Sequence, residues 1–325
     1  MSGVHLNQAA ELSNEVGPPH PRILALALTI GLVLSAVTAR AGVEEGVKAF
    51  RAEDFATALA EFRPAAEAGE AAGQYWMGRL YDAGAGVDED PETALEWFRK
   101  AADQGHAEAQ RVVGIYYEEG KVVDRDALIA SKWYEKAAEQ GNAKAMRNLG
   151  SFYETGTGVR LDPEKAADLY RQASTLGNAR ATRNLAYMYY FGRGVPYDQK
   201  HAAELFQKAA EKGGGRAQYD LGRLYYRGHG VERDLDKAYK QFRKAARAGH
   251  GKAQLLLGRM YALGEGIERS PRRAFYWLTL ASIQEPKLAG KFLPDVKREL
   301  KSDQVEEVAA LARDFRPGSA GIEGQ

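Results

Sequence analysis

A pattern that returns every thirty-six residues constrains this chain more than any other feature. Within residues 78–105 the landmarks are Gly78, Tyr81, Gly84, Gly86, Val87, Asp90, Ala94, Ala101 and Gly105. The tyrosine recurs at Tyr117, Tyr153, Tyr189, Tyr225 and Tyr261, and the alanine at Ala130, Ala166, Ala202, Ala238 and Ala274. Six copies follow one another in register. A unit of this size cannot bury its apolar face alone, so the copies must stack on their neighbours as a solenoid. The 325 residues therefore read as one array, although length alone suggests two domains.

Each unit reads as two helices. Ala109, Val113, Gly114, Tyr116 and Tyr117 form an apolar stripe at helical spacing, which marks the core face of the first helix. Gly84, Gly120, Gly156, Gly192, Gly228 and Gly264 end that helix as left-handed caps. A second glycine follows at Gly86, Gly158, Gly194, Gly230 and Gly266, with Val122 in its place in the second copy. That turn is expected to differ locally. The second helix opens at Asp90, Asp126, Asp162, Asp198 or Asp234, an N-cap residue type, with proline next at Pro91, Pro163 and Pro271. Mid-helix Gly78, Gly114, Gly150, Gly222 and Gly258 each cost about 1 kcal/mol against alanine. Their presence is expected to reflect close approach of the small residues Ala94, Ala101 and Ala102 and their equivalents. Trp97, Trp133 and Trp277 share one column and are expected to fill the space between layers.

The ends depart from the repeat. Residues 43–70 carry half of the pattern, as a capping unit should. Residues 71–284 hold the six full units, and 285–315 read as closing helices over 288–300 and 303–315. The Pro/Gly/Ser tail at 316–325 is expected to be disordered. Residues 23–37 form an apolar run followed by small residues at Ala39 and Ala41, which reads as a cleaved secretory signal within residues 1–41. An uncleaved inner-membrane anchor is the alternative. Export together with the absence of cysteine points to a bacterial periplasm, or to secretion beyond it.

The net charge of +1 hides an asymmetry. Residues 42–143 hold 11 Lys+Arg against 21 Asp+Glu, whereas residues 144–325 hold 32 against 21. An acidic first part and a basic second part can steer a charged partner or favour head-to-tail self-association. The plain alternative is drift in the charge of solvated helix faces.

The third copy shows Ala145, Leu149, Gly150, Tyr153, Gly156, Gly158, Val159, Asp162 and Ala166. With its companions it resembles the Sel-1-like repeat family, a branch of the tetratricopeptide-like solenoids, over residues 46–281. The resemblance implies an all-α, right-handed superhelical solenoid of paired helices that serves as a scaffold or adaptor, with many exported bacterial members. Cysteine-rich members described as hydrolases or lactamases close their repeats with disulfides, and this chain has no cysteine.

Enzyme machinery is not evident. The six histidines lack metal-ligand spacing, the glycine pairs follow no strand, and no cofactor is implied. In related solenoids the second, fifth, sixth and ninth positions of the first helix line the groove. Here these resemble Lys144, Arg147, Asn148 and Ser151, then Arg180, Arg183, Asn184 and Tyr187. Arg216, Tyr219, Asp220 and Arg223 follow, then Lys252, Leu255, Leu256 and Arg259. Tyr75, Trp76 and Arg79 begin the column. Such a basic, partly aromatic strip is expected to bind a partner protein, through an acidic peptide or chain carboxylate. An envelope hydrolase and a self-assembling array are the rival readings. Nucleic acid is a poor partner for a chain whose basic part is balanced by an acidic one.

Overall fold

The computed structural model describes residues 42–319 and 321–324. These fall into two compact units, the first running to Ala109 and the second starting at Gln110. The apolar run at 23–37 lies outside the described residues. Among those described, no helix is long and apolar enough to cross a membrane.

The first unit contains α1 (residues 42–51), α2 (Phe55–Glu67), α3 (Ala71–Ala83) and α4 (Pro91–Asp103). The boundary falls within α5 (Ala107–Glu119). The second unit continues with α6 (Ala127–Glu139), α7 (Ala143–Thr155), α8 (Pro163–Thr175), α9 (Ala179–Phe191) and α10 (Gln199–Glu211). Then come α11 (Gly215–Arg227), α12 (Leu235–Arg247), α13 (Gly251–Leu263) and α14 (Pro271–Gln284). Within each unit, successive helices pack on one another, α2 on α3 on α4 and α6 through α14 in chain order. The described residues are all-helical in consecutive repeats, the arrangement of a solenoid.

The caps act where the residue types require. The Oδ1 atoms of Asp90, Asp126, Asp162, Asp198 and Asp234 each accept from the backbone N–H three residues on, at 2.8–3.0 Å. Gly156 closes α7 at φ 70° and donates its N–H to the Phe152 carbonyl. Val122 adopts φ 69°, matching the glycines of its column, so this turn keeps the common backbone and a branched residue is held in a left-handed conformation. The expected local change does not occur, because the neighbouring caps dictate the path.

Four of the mid-helix glycines, Gly78, Gly114, Gly150 and Gly222, face rings rather than alanines, and Gly258 faces Leu278. A Cβ on Gly150 would lie 2.8 Å from a Tyr170 ring carbon, and on Gly222 2.7 Å from Phe242. Phe98, Tyr134, Tyr170, Phe206 and Phe242 form the fully buried ring column. The tryptophans one position earlier behave differently. Trp97 and Trp133 are half-buried beneath Lys100 and Lys136, each 4.2 Å from its indole centroid. Only Trp277 is fully buried, because the closing helices cover it and Phe315 stands edge-on to it at 6.4 Å.

Those closing helices are α15 (Pro286–Ala289), α16 (Leu293–Arg298) and α17 (Ser302–Arg313). The helix expected over 288–300 is thus broken, with Pro294 restarting the chain. The described residues of the tail, expected to be disordered, pack back on the second unit. Gly318 donates its N–H to the Arg247 carbonyl at 2.7 Å, and Arg247 Nε donates to the Ser319 carbonyl at 3.2 Å. Ile322 is buried with Tyr276 and Val308. One apolar residue and two backbone contacts offset the composition.

Candidate partner-binding site

The strip expected along the first helices divides by what each cation touches. In the first unit, Tyr75 is buried and stacks on His106 at 4.7 Å. Arg79 donates to the Tyr75 hydroxyl at 3.2 Å and lies 5.8 Å over both Phe50 and Trp76. These three residues pack among themselves instead of lining a groove.

In α7, Lys144 is exposed and Arg147 is half-buried. Burial, and then the like charge of Arg180, make the Arg147 guanidinium easier to deprotonate than usual. Arg147 donates to the Asn148 side-chain carbonyl, and Asn148 is itself buried. Asn184 stands against the Tyr170 hydroxyl, which donates to Glu154 at 2.8 Å. The equivalent Tyr134 donates to Glu118. Burial raises both phenols far above their ordinary value, with the paired carboxylates adding to it. The asparagines and carboxylates of this stretch therefore satisfy buried tyrosines.

Arg183 is likewise engaged. Its Nε donates to Asp220 Oδ2 at 2.5 Å, and the Tyr187 hydroxyl donates to Asp220 Oδ1 at 2.6 Å. The Asp220 side chain is 3% exposed and that of Arg183 26%. Arg259 donates to the Tyr226 hydroxyl, and Tyr226 donates to Glu265 at 2.7 Å. Leu255 is core. The expectation of a continuous basic strip is corrected: buried hydroxyls and carboxylates take up its cations at these points.

Arg183, Arg216, Tyr219, Arg223 and Lys252 nevertheless come together around one open cleft of about 630 Å³ on α9, α11 and α13. Among the described residues, Arg216, Arg223 and Lys252 have no carboxylate within 4.0 Å. The cleft carries four cations against two carboxylates, Asp220 and Glu285, and Asp220 is committed to Arg183. His250 stacks on Tyr219 at 4.6 Å. Its Nδ1 accepts from the Ala253 N–H at 3.3 Å, and burial holds its pKa below the ordinary value. An unprotonated Nδ1 fits both observations. Three cations free of carboxylates in one depression can hold carboxylates or other oxyanions.

Beside the cleft lies a smaller slot of about 40 Å³ that shares Tyr187, Asp220 and Arg223 with it. Phe206 and Leu224 are its buried apolar members, and Phe191, 52% exposed, stands at its edge. Tyr190, Arg227 and His229 complete it, with Tyr190 and His229 sharing a 2.6 Å hydrogen bond. Reading only four positions per helix missed these residues, which sit in the last turn and in the loop after it. Phe191 carried a signal, since other copies place Ala83, Glu119, Thr155, Arg227 or Leu263 there. Among the described residues, no group of His, Cys, Asp and Glu has the geometry of a metal site.

Comparison with known proteins agrees with the repeat. The Sel1 repeat model matches residues 71–106, 107–142, 143–178, 179–214, 215–250 and 251–285. A Sel1 repeat protein from Oxalobacter formigenes is similar in structure, at 34% identity and TM-score 0.68 over 74% of this chain and 96% of that one. A protective antigen of uropathogenic Escherichia coli with an SLR fold shares 25% identity over 86% of this chain and 85% of its own, with TM-score 0.46. Helicobacter pylori cysteine rich protein B shares 26% over 39% of this chain and 97% of its own, with TM-score 0.33. No curated protein matches the chain.

Proposed function

The chain belongs to the Sel1 repeat family, and on that premise we propose that it is a non-catalytic scaffold holding an acidic peptide of a partner protein in the cleft on α9, α11 and α13. Proteins of this family are generally protein-interaction scaffolds. The observation that carries the finer reading is the gathering of Arg216, Arg223 and Lys252 around one depression without carboxylate partners. Arg183 and Arg259, by contrast, are tied to carboxylates. A cation already paired gains little from a ligand, whereas an unpaired one gains a charge-assisted hydrogen bond.

We place this activity in the bacterial cell envelope. The support is the apolar run at 23–37 with small residues at its end, together with a chain free of cysteine. Fractionation of the native organism, with N-terminal sequencing of the recovered chain, tests this. A cytoplasmic chain that keeps residues 1–41 would overturn it.

Binding is tested with the double variant R216E/K252E in the full chain. Both residues are exposed and surface charge changes seldom unfold a protein, so the thermal midpoint should hold. Capture of crosslinked envelope partners should fall at least tenfold. Undiminished capture by this variant would sink the assignment of the cleft.

A further inference from the structure

We propose that the slot beside the cleft is a specificity pocket for one branched aliphatic side chain of the bound peptide, which makes the preferred ligand an acidic segment with a single Leu, Ile or Val anchor. This rests on the acidic-peptide reading of the cleft and adds the residue that selects among acidic segments.

Size decides the class of side chain. A water-sized group occupies about 10–15 Å³ of such space, so a slot of about 40 Å³ takes about three or four heavy atoms. That is the size of a Val, Leu or Ile side chain and too small for an indole. Chemistry agrees with size. Phe206 and Leu224 are apolar and Tyr187 presents a ring, and the carboxylate and the hydroxyl beside them are already used, which leaves the Arg223 and Arg227 guanidiniums at the rim for the acidic neighbours of the anchor. Asp220 is taken by Arg183 and Tyr187, and the Tyr190 hydroxyl is taken by His229.

The exposure of Phe191 points the same way. It stacks on Tyr187 with centroids 6.0 Å apart and planes 8° from parallel, yet half of it stays in water. A ligand side chain lodged beside it would cover apolar surface that this chain does not cover itself.

Geometry joins the two sites. Arg223 belongs to both, and Arg216 lies seven residues before it on α11, about 10 Å along a helix. An extended peptide covers that distance in about three residues. A Leu in the slot therefore leaves acidic residues one to three positions away opposite Arg223 and Arg216.

The test uses the full chain and fluorescein-labelled heptapeptides rich in Glu and Asp, with one guest position occupied by Leu, Ala, Trp or Lys. Fluorescence polarisation should show the Leu peptide binding at least tenfold tighter than the Ala peptide, and the Trp and Lys peptides no tighter than Ala. Phe191→Ala, a change at an exposed position, should bring the Leu-to-Ala ratio close to one. R216E should weaken all peptides alike. Equal binding of Leu and Ala peptides by the unaltered chain overturns the specificity pocket and leaves the acidic cleft standing. Failure of every acidic peptide to bind overturns the cleft and the pocket together.

Discussion

Replacing Asp220 by Asn tests how this protein divides its cations between folding and binding. The Asp220 carboxylate, 3% exposed, accepts from Arg183 Nε at 2.5 Å and from the Tyr187 hydroxyl at 2.6 Å. Asparagine keeps an oxygen for Tyr187 and gives up the charge that holds Arg183. Hydrogen bonds to charged groups contribute about 1.5–3 kcal/mol, and leaving one partner of a wholly buried pair alone costs about 3–5 kcal/mol. Arg183 is about a quarter exposed, so water recovers part of that loss. A destabilisation of about 2 kcal/mol follows, or about 4–8 °C in thermal midpoint at the size of the second unit. Because repeat arrays can unfold in parts, circular dichroism should be joined by amide exchange, with the loss of protection centred on α9 and α11. The released Arg183 guanidinium already belongs to the cleft. Acidic peptides should therefore bind about threefold to tenfold more tightly, as one further partly exposed ion pair allows. A variant as stable as the parent, or one that binds acidic peptides less well, would refute the division.

Four further outcomes follow from the packing and the caps. Gly150→Ala should destabilise the protein by about 1–2 kcal/mol, since the added carbon meets the Tyr170 ring at 2.8 Å and overpacking outweighs the helix gain of about 1 kcal/mol. Gly222→Ala should cost less in the same melts, because Phe242 has no hydroxyl anchor like the bond from Tyr170 to Glu154, and Ala186 already occupies this column in the fourth copy. Val122→Gly should raise the midpoint by a few degrees: it removes about 1–2 kcal/mol of left-handed strain against about 0.5–1 kcal/mol of added chain entropy, and Val122 is 43% exposed. Burial holds the pKa of His106 and His250 below 6.5, so the folded chain prefers both rings neutral, with Nδ1 accepting from the Ala109 and Ala253 N–H groups. Their contribution is complete above pH 6.5 and drains away as pH falls through the lower folded values. The double variant H106N/H250N keeps the caps, as Asn142 and Asn178 do in their copies, and should flatten the stability profile between pH 7 and 5.

The helices were legible in the sequence because their signals are local. Aspartate three residues before a free N–H, glycine where a left-handed residue ends the helix, and an apolar stripe at helical spacing all act within one turn of chain. Stacking was legible too, since identical units that each expose an apolar face have one common way to bury it. What faces a mid-helix glycine was not. Tyr170 and Phe242 reach Gly150 and Gly222 through the angle at which two helices cross, and Ala94 and its equivalents gave no hint of that angle. The same limit applies to charge. Arg183, Arg216 and Arg259 look alike in their columns, and tertiary contact alone sends Arg183 to Asp220 and Arg259 to Tyr226 while leaving Arg216 at an open cleft. The tail shows the converse, where composition favours disorder but burial of Ile322 and the Arg247 contacts hold Gly318, Ser319 and Ile322 in place. Sequence by itself determined the period, the helices, their caps and the stacking, because these depend on neighbours in the chain. Only the tertiary structure decided which cations remain free to bind, because that depends on residues thirty or more positions apart meeting in space.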